Sequence, residues 1–174
     1  MQHLRFKTDR IERFESHANS TEVFVKPDFP RGNLPYFSFN DLNGQFIISN
    51  TEQLIPNSQN DYALVHFTFI PPNRLPYLGY KLYLMGALTE NKKSDASVMA
   101  FNAKEGVYQK DILLKQGYYS YQYILEDQEM PNRLEWTKET EGDHVEAKNQ
   151  YTIFVFYTFP GARHASLVGL ADLF

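Results

Sequence analysis

At 174 residues the chain is long enough to bury one sizeable core, and its net charge of −4 argues against a nucleic-acid binder, which needs clustered Lys and Arg to meet phosphates. The absence of cysteine excludes disulfides, thiolate catalysis and cysteine-ligated zinc. Aromatic residues reach 16%, with 12 Tyr and 14 Phe against one Trp, which predicts a core of Phe and Tyr between sheets rather than leucine stripes on helices.

In chain order, Arg5 to Glu15 mixes charged and apolar residues at no sustained helical period, and Ser16 to Ser20 is turn-like. A short strand is predicted over Glu22 to Lys26, stopped by Pro27, which cannot donate to a ladder. Asp28 to Pro35 reads as loop, and Tyr36 to Phe39 with Gln45 to Ser49 reads as a hairpin around Asn43-Gly44, a strong turn signal. Polar Asn50 to Asn60, with Pro56 inside it, is the best boundary. It separates residues 1–59, accessory strands or the remnant of a preceding domain, from a sandwich over 60–174.

Asp61 to Ile70 is apolar on both faces, as expected of a strand buried between layers, and Pro71-Pro72 ends it. Tyr80 to Leu88 and Val98 to Phe101 are further strands. Val107 to Leu125 predicts two strands meeting in a hairpin at Lys115-Gln116-Gly117, with Gly117 supplying a positive φ. The returning strand alternates Tyr119, Tyr121, Tyr123 and Leu125 on one face with Tyr118, Ser120, Gln122 and Ile124 on the other, the period of two that defines a strand. Glu126 to Asn149 is irregular, acidic and carries the lone Trp136; Tyr151 to Phe159 has the two-sided apolarity of a central strand, and Ser166 to Leu170 closes the series. Eight to ten strands without a convincing helix predict an all-β, immunoglobulin-like sandwich.

Chemistry-bearing patterns are sparse. The five histidines show no metal-ligand spacing, and His66, inside a strand, reads as a core or sheet-surface residue. Neither a G-x-S-x-G elbow nor a phosphate-binding glycine loop occurs, so the expectation is a protein that is not an enzyme and holds no cofactor or metal. Carboxylates between Glu126 and Glu146 read as a solvated acidic loop rather than a glycosidase pair. The candidate binding surface is Tyr119, Tyr121, Tyr123 and Trp136. Such rings either cover the margin of the core or form a flat platform, and a platform suits a sugar ring and a protein partner equally. No run approaches a membrane span, and the residues after Met1 lack the apolar segment of a signal peptide.

Tyr83-Leu84-Met85-Gly86, followed by Leu113-Leu114-Lys115-Gln116-Gly117-Tyr118-Tyr119-Ser120-Tyr121-Gln122-Tyr123, is similar to early-set immunoglobulin-like domains of the glycogen-binding kind. Where those sugar binders place a tryptophan soon after the glycine, this chain has Ala87-Leu88-Thr89-Glu90-Asn91-Lys92. A broader resemblance rests on Asp41 to Ile48, Asp61 to Phe67, the Leu-Leu-Lys-Gln-Gly-Tyr-Tyr block, and Glu141-Gly142 with Glu146, Asn149 and Tyr151. Together with Leu4-Arg5-Phe6 and Arg163 to Gly169, these blocks resemble the C-terminal half of the type IX secretion system plug protein family; His164-Ala165-Ser166 departs from that family's usual Tyr-Asp-Arg. The resemblance implies a periplasmic, outer-membrane-associated accessory that occludes the periplasmic opening of the translocon barrel. It also implies a longer parent with a further β domain and a signal peptide ahead of Met1. A carbohydrate-binding module is the alternative.

Overall fold

The computed structural model describes residues 2–5, 10–17, 20–32, 34, 45–48, 62–131, 138–142 and 151–173. Among these the fold is the all-β sandwich that the sequence predicts, with two short 3-10 turns and no α-helix. The chain divides into two compact units, one of residues 1–35 and 39–143, the other of residues 36–38 and 144–174.

Among the described residues the larger unit has two sheets. One runs β2-β3-β5-β8-β7, from strands β2 (Ile11–Ser16), β3 (Thr21–Val25), β5 (Tyr62–Phe69), β7 (Ala100–Asn102) and β8 (Val107–Lys115). The other is built on β9 (Gly117–Asp127), which pairs with β1 (Gln2–Arg5), β4 (Phe46–Ile48) and β6 (Tyr80–Met85). Among the described strands the pairings are antiparallel except β3 with β5, which is parallel. Strands from before residue 60 thus share sheets with strands from beyond it: β1 and β4 lie on β9, and β3 lies on β5. The turn at Asn43-Gly44 and the predicted boundary at 50–60 lie outside the described residues.

Burial follows the strand period. In β5, Ala63, Val65, Phe67 and Phe69 are buried while Leu64, His66 and Thr68 are half-covered, so this strand has one core face and one outer face rather than the two buried faces expected. The core joins that stripe to Val23 and Val25 of β3, Leu82 and Leu84 of β6, and Tyr119, Tyr121, Tyr123 and Leu125 of β9. On the opposite face of the second sheet, Tyr83, Met85 and Ile124 form a smaller cluster with Val98.

The expected hairpin over Val107 to Leu125 is not formed. β8 pairs with β5 and β7, β9 pairs in the other sheet, and at Gln116 the chain crosses between layers. A hairpin and a crossover have the same alternation in sequence, and packing decides between them. Crossing lays the Tyr121 and Tyr123 rings on Phe67 and Phe69, with centroids 5.3 and 4.6 Å apart. Removing each such side chain from water is worth about 2 kcal/mol.

Gly117 is required for a different reason from the one expected. It is not among the glycines with positive φ. A Cβ there would sit 2.5 Å from the carbonyl oxygen of Ile47 and 3.2 Å from the Ile48 Cα, because β4 pairs directly against it. These are backbone atoms that cannot swing aside. Gly117→Ala is expected to destabilise the fold by about 1–3 kcal/mol in chemical denaturation, the usual cost of overpacking; an unchanged midpoint would mean that β4 does not pack as described.

Candidate functional site

The tyrosine stripe of β9 points inward. Tyr119, Tyr121 and Tyr123 are 3%, 0% and 1% exposed, with Phe46, Phe67 and Phe69 on their rings. These three rings therefore cover the core and present no open face. Trp136, the fourth candidate, lies outside the described residues.

The stripe's hydroxyls converge on Asp28, which the sequence placed in a loop. Asp28 follows β3 and continues its parallel pairing, donating its N–H to Thr68 O and accepting from Ile70 N–H. Its buried carboxylate accepts hydrogen bonds from Tyr121 Oη at 2.9 Å and Tyr123 Oη at 2.8 Å on Oδ2, and from the Arg10 guanidinium at 2.5 Å on Oδ1. Arg10 also donates to Tyr121 Oη at 3.2 Å. Burial works against the Arg10 charge, but Tyr121 and Asp28 outweigh it and hold its pKa above the ordinary value. Burial, reinforced by Asp28, pushes both phenols well above theirs. Every polar atom of this cluster named here has a partner within the chain. The cluster therefore ties the two sheets together, and it offers no group to a substrate.

The acidic stretch is partly structural. Glu126 accepts from Tyr83 Oη at 2.9 Å and from Lys93 Nζ at 2.8 Å. Glu141, buried, accepts the Tyr123 N–H at 3.0 Å, and Thr140 Oγ1 donates to the Tyr123 carbonyl at 2.6 Å. His66 takes the sheet-surface position expected, stacked on Phe24 at 4.2 Å, its ring nitrogens 2.8 Å from Asp111 and 3.0 Å from Glu22. Nearby, Glu15, His17 and Glu22 bring ligand atoms within 4.8 Å of one another. Glu15 is already held by Arg13 at 2.8 Å and Glu22 by His66, so the chain's own donors engage both acids.

Two features present surface. The first is the ribbon of β10 (Tyr151–Tyr157) and β11 (Ser166–Leu173), which belongs to the smaller unit. Its register sets Tyr151, Ile153 and Val155 on one face, opposite Leu173, Ala171 and Gly169. Phe154 and Phe156 lie on the other, opposite Leu170 and, past a bulge, Leu167. Taken by itself and among the described residues, this two-stranded ribbon has no second layer on either face; Phe154 is 54% exposed and Phe156 61%. The sequence predicted a central strand here, and the described pairing gives it one neighbour.

The second is a cleft of about 450 Å³ in the larger unit, lined among the described residues by Tyr77, Tyr80, Leu125, Lys138 and Glu139. The turn from Tyr77 to Tyr80, closed by Tyr80 N–H on the Tyr77 carbonyl and permitted by Gly79 at φ 81°, sets the two tyrosines at its wall. Tyr77 stacks on Tyr108 at 6.0 Å, and its N–H donates to Tyr108 Oη at 2.8 Å. Its own hydroxyl is buried and, among the described residues, has no hydrogen-bond partner. Burial first, then Tyr108 and Glu139 nearby, push that phenol well above its ordinary pKa. Sequence reasoning missed Asp28, Arg10, Tyr77 and Tyr80, since no local pattern distinguishes them.

No family model matches the chain, and no curated protein does. Among solved structures it is similar to the crystal structure of a hypothetical protein from Parabacteroides merdae ATCC 43184, with a TM-score of 0.88 and 29% identity. The match covers 99% of this chain and 43% of that one, so the chain spans less than half the length of that protein. No helix among the described residues is long and apolar enough to cross a membrane.

Proposed function

We propose that this chain is a non-enzymatic binding module that works by surface contact, and that its partner is the outer-membrane translocon barrel of a type IX secretion system, whose periplasmic opening it occludes. The supporting observation is the β10–β11 ribbon, which carries large apolar side chains on both faces and, among the described residues, is a two-stranded sheet. An apolar surface of this kind marks an interaction site. The choice of partner and of the periplasm comes from the sequence blocks that resemble the plug family.

The test is capture of the translocon from detergent-solubilised outer membranes of a bacterium that has a type IX system, with the tagged protein as bait. Wild-type protein is expected to recover the barrel, and Phe154→Asp with Phe156→Asp, or Leu170→Asp alone, is expected to lower recovery at least tenfold. Circular dichroism of each variant checks that the sheets persist. Absence of the barrel from the wild-type eluate, or full recovery with a folded variant, would overturn the reading.

A further inference from the structure

We infer that Glu15, His17 and Glu22 form a binding site for a divalent cation of the zinc type, which clasps the edge strand β2 to the rest of its sheet. This site is independent of the ribbon and of the translocon. It begins with an arrangement that a sheet ordinarily avoids: Glu15 of β2 and Glu22 of β3 stand directly opposite each other in the antiparallel register. Two like charges in that position repel and destabilise the pairing. Arg13 meets Glu15 at 2.8 Å, but both groups are open to water, where such a pair is of little consequence. Arg13 also has a second seat over the Phe24 ring, 3.5 Å from its centroid.

The third ligand comes from the turn between the two strands. The His17 N–H donates to the Ser20 carbonyl at 2.8 Å, and its imidazole Nε2 lies 3.6 Å from Glu22 Oε1. Ligands held about 2.0–2.2 Å from a tetrahedral zinc are separated by roughly 3.4 Å. The largest separation among the three ligand atoms is within 4.8 Å, and rotation of the exposed His17 side chain and of Glu15 closes the difference. Glu22 is oriented from behind. Its other oxygen, Oε2, lies 3.0 Å from His66 Nε2, and the Nδ1 of that ring lies 2.8 Å from Asp111. A ligating carboxylate fixed by a histidine that is itself fixed by a second carboxylate is the outer support that metal sites employ.

The donor set selects the ion. Magnesium and calcium take oxygen ligands, whereas an imidazole beside two carboxylates suits zinc and its neighbours in the first transition row. Three protein ligands leave a fourth position for water. The two acids come together across a hairpin and only one ligand is a histidine, so no histidine pair marks the site in sequence. The gain is mechanical: β3 pairs with β5 over only Glu22 to Phe24, and a cation here would tie β2 to β3 and, through His66, to β5.

The experiment is calorimetric titration of the untagged, chelator-stripped chain with zinc chloride, with thermal unfolding in zinc and in EDTA. One zinc ion per chain is expected, with a Tm that rises on zinc addition, falls again in EDTA and ignores excess magnesium. His17→Ala and Glu15→Gln should each weaken zinc binding by more than about tenfold, and His66→Ala, which removes a positioning residue, by about tenfold. Glu15→Gln also removes the repulsion, so in EDTA it should unfold at the wild-type temperature or above while losing the ion. Absence of saturable zinc binding, or binding that His17→Ala and Glu15→Gln leave intact, would overturn the assignment.

Discussion

Asp28→Ala is expected to lower the unfolding free energy by about 4 kcal/mol, the scale of breaking a buried ion pair on one side. The carboxylate is 3% exposed and accepts from Arg10, which immediately precedes β2 of one sheet, and from Tyr121 and Tyr123 on β9 of the other. Truncation would leave the Arg10 guanidinium without that carboxylate and deprive two fully buried phenols of their acceptor. Arg10 is 28% exposed, so water softens its share. The phenols have no such relief, at about 1–3 kcal/mol for each hydroxyl left unsatisfied. A domain holds only about 5–15 kcal/mol in total, so the variant would sit near the edge of folding. Urea denaturation of Asp28→Ala, Arg10→Met and the double variant measures this, with a coupling energy between Arg10 and Asp28 expected to exceed 1 kcal/mol. A single-variant loss under 1 kcal/mol would show that the cluster does not join the sheets energetically.

Alkali is expected to unfold the protein in one step between pH 10 and about 12. Burial raises Tyr83 and Tyr119 to about 12, and holds Tyr121 and Tyr123 well above their ordinary value of 10. Above pH 10 the unfolded chain releases these protons while the folded chain keeps them. The contribution to stability is therefore fully present below pH 10 and is lost as pH rises through the folded-state values. Loss of the sheet signal in circular dichroism should coincide with the tyrosinate absorbance of the buried rings. Full ionisation of all tyrosines with the sheet signal intact would contradict the burial of the β9 stripe.

The fold class was legible because period-two alternation survives in single strands. Tyr119, Tyr121, Tyr123 and Leu125 share one face in the sequence and in the core alike. The partner of each strand was not legible. The Lys115-Gln116-Gly117 corner satisfies the local rules for a hairpin, and only the stripe on β5 draws β9 into the opposite layer. Gly117 is a glycine because of Ile47, a residue that nothing nearby in sequence identifies. Asp28 has the local signature of a loop because its donors lie 18, 93 and 95 residues away. The same stripe has two meanings in sequence: rings that make a good platform also make a good core, and here their faces are occupied by Phe46, Phe67 and Phe69. The cleft draws on residues 77, 80, 125, 138 and 139, a spacing with no motif in it.

The pairing of early strands with late ones sets an order for self-assembly. Apart from the β2–β3 contact, no described strand from the first 48 residues has its neighbour before residue 62, and both β1 and β4 wait for β9. A chain released N-terminus first therefore carries bare strand edges until the region through residue 121 has followed, and closing such distant loops is slow. During that interval its apolar segments are exposed to misassociation. Folding yield should thus depend on holding factors or on dilution far more than the modest size of the protein would suggest.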